Sequence, residues 1–460
     1  MKLHGSTPNM GSSPCQALSA RAPGARAALV ALLLAAPGFS GASFAAAAAA
    51  AGQTAAPAPI RFTEQLIWGG FRYNWGVQAF DLDGDGLVDL TASDALGGRM
   101  KPEPFAGEKP ADPAVVTGIR SNLYWFRNDG QGGFERRFIA RDVPHGRLER
   151  HVIADVNQDG RPDVVSLDNF YGDLMWFENP GPAAAGQGDS WIKHFITRGG
   201  MLGAEDLTVA DFDRDGHTDV AAAGWRLGNR YLWFRNPGLA GAGADWTGSY
   251  IDGGFPVARS IFAGDVNADG RPDLLATSDA ASIILWYENV AAAKDQVEWR
   301  RNVIDLPGAP PAGQPVFGKL VDLNRDGRLD ILMAFGGWGT SKEGGVAWYE
   351  NSGVEDGRVQ WKKHLITDAL PGGFEAVAAD LDGDGDLDVV ATGETPGQIA
   401  WFENPGHPAG RWIKHPLRPE WTHANQVVVA DLNRDGRPDI VAVADYGSLE
   451  LRWWRNDGKP

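Results

Sequence analysis

The chain has 460 residues, 43% of them hydrophobic, and carries 59 acidic against 42 basic side chains for a net charge of −17. That balance excludes a nucleic-acid partner, whose phosphate backbone needs a basic patch. One cysteine, Cys15, excludes a disulfide framework.

In chain order, residues 1–45 read as a secretory signal peptide. Arg21 and Arg26 precede an apolar run over 27–36, followed by Pro37-Gly38 and small residues up to Ala45. The run is too short for a stable membrane anchor, and Cys15 lies upstream of it, badly placed for lipid attachment. Residues 46–59 read as an Ala/Pro linker. The expected product is a monomeric, secreted or periplasmic protein with no membrane insertion. Loss of residues 1–45 removes Lys2, Arg21 and Arg26 and no acid, which takes the net charge to −20.

From residue 60 onward one unit recurs. A lone strand is predicted over 62–67, and then an acidic nonapeptide, Asp-x-(Asp/Asn)-x-Asp-Gly-x-x-Asp, occurs seven times. Its polar positions are Asp81, Asp83, Asp85 and Asp89 in the first copy and Asp155, Asn157, Asp159 and Asp163 in the second. The third has Asp211, Asp213, Asp215 and Asp219, and the fourth Asp265, Asn267, Asp269 and Asp273. The fifth has Asp322, Asn324, Asp326 and Asp330, the sixth Asp380, Asp382, Asp384 and Asp388, and the seventh Asp431, Asn433, Asp435 and Asp439. The copies are 74, 56, 54, 57, 58 and 51 residues apart, the first interval lengthened by an insertion around 97–118.

Carboxylates at alternate positions of a short loop repel one another until a hard cation joins them. Calcium accepts six to eight oxygens at about 2.3–2.6 Å, whereas Mg2+ demands a tight octahedron and keeps waters. Up to seven structural Ca2+ are expected, with Asp at position nine closing each loop and Gly at position six making the sharp turn. Seven ions would bring the charge to −6 and relieve most self-repulsion. Copies two, four, five and seven carry Asn at position three and are expected to bind more weakly. A solvated acidic turn would explain one copy; seven in register argue against it.

Around each loop the sequence predicts four strands, A to D. Strand A precedes the loop and strand B follows it. Strand C carries an aromatic signature, as in Trp176-Phe-Glu-Asn179 and Trp401-Phe-Glu-Asn404, and strand D reads like residues 191–196. The last unit stops after strand C, and the lone strand at 62–67 resembles strand D. If that strand completes the last sheet, every blade has four strands and the ring closes. The expectation is an all-β, seven-bladed β-propeller over 60–460, with no exposed sheet edge left to pair.

The acidic loops and the Trp-(Phe/Tyr)-Glu-Asn strands resemble the FG-GAP/VCBS repeat family, which includes the propeller of integrin α subunits. The resemblance covers 60–460 and implies a calcium-stabilised propeller. The family spans adhesion proteins, lectin-like modules and carbohydrate-active enzymes, so fold does not settle function.

The acidic loops are A–B connections. The non-repeat aromatics Trp68, Trp75, Trp225, Trp338 and Trp421, with Tyr171 and Tyr446, fall in D–A or B–C connections, at the opposite end of the blades. Such rings either form a ligand platform or plug the channel. The platform is the expectation taken, with Trp75, Trp225, Trp338, Trp421, Tyr171 and Tyr446 as ligand-binding candidates. His145, His151 and His423 lie near the same end, and Glu149, Glu205, Arg259 and Glu375 sit near the starts of strands A. A histidine with two carboxylates suits a transition metal or acid–base work. His151, His423, Glu149, Glu205, Arg259 and Glu375 are therefore the catalytic candidates, although no hydrolase or metalloprotease signature is present. The leading expectation is a binding module for a glycan or an extracellular protein. The alternatives are a carbohydrate lyase or dehydratase, for which propellers similar to fungal aldos-2-ulose dehydratase are a precedent, and a structural adhesion protein.

Overall fold

Twenty-eight strands and seven sheets form among the described residues of the computed structural model, which are 60–96, 120–144, 146–181, 190–225, 228–238, 245–254, 257–279, 281–305, 310–336 and 342–459. Every sheet is four-stranded and antiparallel, in the expected seven-bladed ring. The signal peptide, the linker, the 97–118 insertion, His145 and Trp338 lie outside the described residues.

Strand β1 (Arg61–Trp68) comes first. Blade one is β2 (Val77–Phe80), β3 (Asp89–Leu96), β4 (Arg120–Asn128) and β5 (Phe134–Pro144). Blade two is β6 (Leu148–Ala154), β7 (Asp163–Asp168), β8 (Leu174–Glu178) and β9 (Ile192–Thr197). Blade three is β10 (Ala204–Ala210), β11 (Asp219–Gly224), β12 (Arg230–Arg235) and β13 (Thr247–Gly253). Blade four is β14 (Ala258–Gly264), β15 (Asp273–Ser278), β16 (Ile283–Asn289) and β17 (Trp299–Asp305). Blade five is β18 (Gln314–Val321), β19 (Asp330–Gly336), β20 (Gly345–Glu355) and β21 (Arg358–Thr367). Blade six is β22 (Gly373–Ala379), β23 (Asp388–Gly393), β24 (Gln398–Glu403) and β25 (Ile413–Arg418). Blade seven is β26 (Ala424–Ala430), β27 (Asp439–Ala444) and β28 (Glu450–Gly458), completed by β1.

Burial explains the composition of each strand. The second strand of a blade is covered on both faces, so β7, β11 and β27 are buried throughout and read as Val-, Ile- and Ala-rich runs. The outermost strand faces solvent, and β9 and β25 are half-exposed or exposed along most of their length. The core lies between neighbouring blades. Val165 and Trp176 of blade two pack with Val220, Phe234 and Trp246 of blade three, and Val390 and Trp401 of blade six pack with Ile440 and Trp454 of blade seven.

The ring closes as expected. Strand β1 pairs antiparallel with β28, with Gln65 opposite Trp453. Glu64 of β1 receives Arg418 Nη1 at 2.5 Å and Arg452 Nη1 at 2.7 Å, and Thr63 Oγ1 donates to Asp457 Oδ2 at 2.5 Å. First and last segments are thus held by a ladder and by charge-assisted bonds. In an antiparallel blade, A–B and C–D turns share one end, and B–C and D–A turns share the other. Acidic loops therefore crowd one end of the ring and the non-repeat aromatics the other.

Candidate functional site

At the acidic end every loop folds around its own side chains. In loop two, Asp155 Oδ1 accepts the Asp159 N–H at 3.1 Å and Oδ2 accepts the Gly160 N–H at 2.9 Å, while Asp159 Oδ1 accepts the Arg161 N–H at 2.9 Å. The position-six glycine is left-handed in all seven loops, φ running from +80° to +100°, a conformation that glycine adopts without strain.

Position nine does a job that a ligand role alone does not describe. The Asp163 carboxylate accepts the Val156 N–H at 3.0 Å and the Asn179 N–H at 2.8 Å, and the same pair of bonds recurs at Asp89, Asp219, Asp273, Asp330, Asp388 and Asp439. Each of these aspartates joins strand A's exit to the end of strand C. Burial pushes Asp163, Asp219, Asp273, Asp330 and Asp388 up to about 7, and Asp89 and Asp439 to about 6. Each oxygen keeps a second lone pair for a cation.

The signature Asn of strand C links the loops to one another. Asn179 Nδ2 donates to Pro162 O in its own loop at 3.0 Å and to Leu82 O of blade one at 2.9 Å. Asn128 crosses the seam of the ring, donating to Val88 O at 2.9 Å and to Leu432 O of blade seven at 2.8 Å.

Fixed cations sort the loops into two kinds. Arg127 reaches Asp83 and Asp85, both at 2.6 Å, Arg235 reaches Asp213 at 2.6 Å and Asp215 at 2.9 Å, and Lys459 reaches Asp382 at 3.1 Å. These are the loops with four aspartates. In the other four, Arg161, Arg271, Arg328 or Arg437 pairs with the position-five aspartate of its own loop. In loops one, three and six, carboxylate oxygens from three aspartates converge within 4.8 Å: Asp81, Asp83 and Asp85; Asp211, Asp213 and Asp219; Asp380, Asp382 and Asp388. Asp211 Oδ1 is buried there without a hydrogen-bond partner. An all-oxygen set with an orphaned buried carboxylate oxygen fits a hard cation.

The opposite end differs from the expected platform. Trp75, Trp225 and Trp421 are buried, as are Tyr73, Phe317 and Phe374, and Trp75 is only 1% exposed. Tyr73 stacks on Trp75 at 5.8 Å, Trp75 meets Phe374 edge-on at 5.4 Å, and Phe317 lies 5.2 Å from Phe374. These rings come from blades one, five and six and pack into one buried cluster. An apolar ring at a converging mouth gains more from mutual burial than from exposure, about 1.5–3 kcal/mol for a large side chain. Tyr171 stays half-buried and Tyr446 is 52% exposed, so these two keep an open surface.

The charged candidates are structural partners in the same layer. Register shifts occur near the starts of β6, β10, β14, β18, β22 and β26. Bulges of this kind re-aim side chains. Arg150 of blade two reaches Glu375 of blade six at 2.7 Å and lies 3.5 Å over the Phe317 ring. Lys319 adds a second cation to Glu375 at 3.3 Å. Arg259 is fully buried, 3.4 Å from Glu205 and 3.6 Å from Asp279, and Glu149 pairs with Arg147 and accepts Tyr73 OH at 3.3 Å. His151 Nε2 lies 2.7 Å from Thr91 Oγ1, and burial holds the ring down to about 4. His151, Glu149, Glu205, Arg259 and Glu375 are thus sealed, against the expectation of an accessible acid–base set. The cavity lined by Arg259, Asp279, Phe374 and Glu394 measures about 10 Å3, room for about one water.

His423 stands apart, its side chain 29% exposed. It occupies a left-handed position, φ +59°, that is glycine in blades three and six (Gly203, Gly372). Its Nδ1 lies 3.1 Å from Glu394 Oε1 and 3.7 Å from Asp445 Oδ1. Neither carboxylate was singled out by sequence reasoning. The signal was available in register: Asn169, Trp225, Asp279, Glu394 and Asp445 each stand six residues after a position-nine aspartate. Burial, then the nearby Glu394 charge, drives the Asp445 carboxyl well above the usual range. A separate groove of about 700 Å3 lies on the rim between blades four and five, lined by Trp286, Arg300, Arg301, Val303, Val359 and Trp361.

Comparison with known proteins agrees with the repeat. The FG-GAP-like repeat matches at 155–222, 211–276, 322–391 and 380–442, more than half of the chain. No curated protein matches it. Among solved structures, a lectin from Agrocybe aegerita, described as recognising non-reducing terminal N-acetylglucosamine, is 18% identical with TM-score 0.48, over 76% of this chain and 81% of that one. A chain of the BBS1N–ARL6DN complex is 11% identical with TM-score 0.49, over 87% and 98%. The blade count and closure rest on the strand pairing above.

Proposed function

The chain belongs to the FG-GAP-like repeat family, and from that premise we propose that it is a secreted, calcium-stabilised propeller that binds a glycan or an extracellular protein. Calcium is the staple of the acidic end, and the end carrying Tyr171 and Tyr446 is the recognition face. The observation that carries this reading is the plugged channel. Trp75, Phe317 and Phe374 with the Arg150–Glu375 pair are buried against one another at this end, while Tyr446 stays exposed. An exposed tyrosine beside a packed aromatic layer suits stacking on a sugar ring or anchoring a partner. The lyase or dehydratase alternative loses His151 and Arg259, both sealed, and retains only His423 among its proposed bases.

In calcium, loops one, three and six hold the largest carboxylate clusters, with Arg127 and Arg235 competing for the charge in loops one and three. The test is a glycan panel and a capture assay with surface proteins, comparing the wild type with Tyr171→Ala/Tyr446→Ala and with Trp361→Ala in the rim groove. Loss of binding in the tyrosine pair at unchanged melting temperature supports the assignment. Binding retained there, or lost only with Trp361→Ala, overturns it.

A further inference from the structure

We infer that Glu394, His423 and Asp445 form a site for one divalent first-row transition-metal cation, with Zn2+ as the representative ion, at the mouth between blades six and seven. The site lies at the end of the ring opposite the acidic loops and stands independently of any glycan or protein partner.

The backbone brings the three residues together. His423 N donates to Glu394 O at 2.9 Å, and Asp445 N donates to His423 O at 3.1 Å. Each carboxylate-bearing residue is therefore tied to the histidine by its own peptide group. One ligand atom from each residue lies within 4.8 Å of the other two. The distances from His423 Nδ1, 3.1 Å to Glu394 Oε1 and 3.7 Å to Asp445 Oδ1, bracket the edge of about 3.3 Å that a tetrahedron with metal–ligand bonds near 2.0 Å requires.

Asp445 supplies the second, independent observation. Its side chain is fully buried, and neither of its carboxylate oxygens has a hydrogen-bond partner. A buried carboxylate without a hydrogen-bond partner is costly and uncommon, and this one faces an imidazole nitrogen at 3.7 Å and a second carboxylate. The mouth has a surplus of buried acid. Seven buried carboxyls, among them Glu205, Glu375, Glu394 and Asp445, face four cations, the buried Arg147, Arg150 and Arg259 and the half-exposed Lys319 on Glu375. A divalent cation would offset part of that surplus.

The donor set selects the metal. One imidazole nitrogen with two carboxylates suits Zn2+ and its neighbours, whereas calcium takes oxygen ligands in larger number. Three protein ligands are the number that catalytic-type zinc sites keep, with a further position for water or a ligand oxygen. The partly exposed His423 edge provides the way in.

The test uses the untagged mature chain, stripped of metal and then held in excess Ca2+ to fill the acidic loops, and titrated with Zn2+ by calorimetry. Co2+ absorption serves as an independent report of an imidazole-containing site. One Zn2+ per chain is expected, with uptake weakened at least ~100-fold in His423→Asn and Asp445→Asn, as loss of a direct ligand should exceed the 10–100-fold cost of losing a supporting partner. Asn is tolerated at left-handed φ, and Asp445→Asn keeps the side chain's shape, so both variants are suited to the fold. No uptake by the wild type in excess Ca2+, or equal uptake by wild type and both variants, overturns the site. Neither result depends on the recognition face, so the two proposals fail separately.

Discussion

Arg150 and Glu375 offer a quantitative test of the plugged channel. They belong to blades two and six, are both buried, and meet at 2.7 Å. Removing one partner of a buried pair leaves an uncompensated charge, at a cost of about 3–5 kcal/mol, whereas replacing both with apolar groups is often near neutral. Arg150→Met leaves Glu375 with only Lys319, at 3.3 Å. Glu375→Leu leaves Arg150 beside the Phe317 ring. At about 2.1 cal/mol/K per residue, a domain of about 400 residues has an unfolding entropy of about 0.8 kcal/mol/K, so each single change should lower the melting temperature by ~4–6 °C. The double variant should recover more than half of the summed loss, because it removes the stranded charge and adds apolar volume to a layer already lined by Phe317 and Phe374. Differential scanning calorimetry of the four proteins completes the cycle. Additive single effects under ~1 kcal/mol each would refute a sealed, low-dielectric channel.

Three further outcomes follow from the same geometry. Asn128→Ala strands Val88 O, Leu432 O and Gly130 N, about 3 kcal/mol at ~1 kcal/mol per lost partner. Asn404→Ala strands Leu387 O and His407 N and should cost about 1 kcal/mol less; equal denaturation midpoints would contradict the cross-seam role. His151 is held near 4 by burial, against about 6.5 when unfolded, so the unfolded chain binds the extra proton between these values and stability falls as pH drops through that window. His151→Gln should therefore remove about 2 kcal/mol of the loss between pH 7 and pH 5, read as a smaller shift in melting temperature than in the wild type. Asp211→Asn removes a charge from the loop-three cage with its orphaned oxygen, and calcium titration should show one fewer or one weaker site; an unchanged isotherm would take loop three out of the calcium set.

The repeat made the blades legible. Short apolar or alternating segments either side of each acidic loop, the Trp-Phe-Glu-Asn strand and the unmatched ends specified four strands per blade and closure by a strand over 62–67, which the structure extends to 61–68. These are local signals, repeated, and local spacing determines them. The mouth was less legible because its side chains meet across the ring. Nothing near Arg150 in the chain indicates that its partner is Glu375, 225 residues away. Nor does a tryptophan in a loop disclose whether it faces solvent or another blade's phenylalanine. The bulges that turn Glu149, Arg150, Glu205 and Arg259 inward have no sequence mark of their own. Glu394 and Asp445 carry no local motif, and their sequence mark is a shared register six residues after a position-nine aspartate. That aspartate, read as a ligand, is also the hydrogen-bonded joint between strands A and C.

We propose that the acidic ring is a calcium fastening. It is tested most directly by the melting temperature of the mature chain in 10 mM Ca2+ against EDTA. With dissociation constants of roughly 10⁻⁴–10⁻³ M, each filled loop contributes about 1.4–2.7 kcal/mol. Seven filled loops should raise the melting temperature by ~12–24 °C, using an unfolding entropy of about 0.8 kcal/mol/K. The same melting temperature in calcium and in EDTA would contradict it.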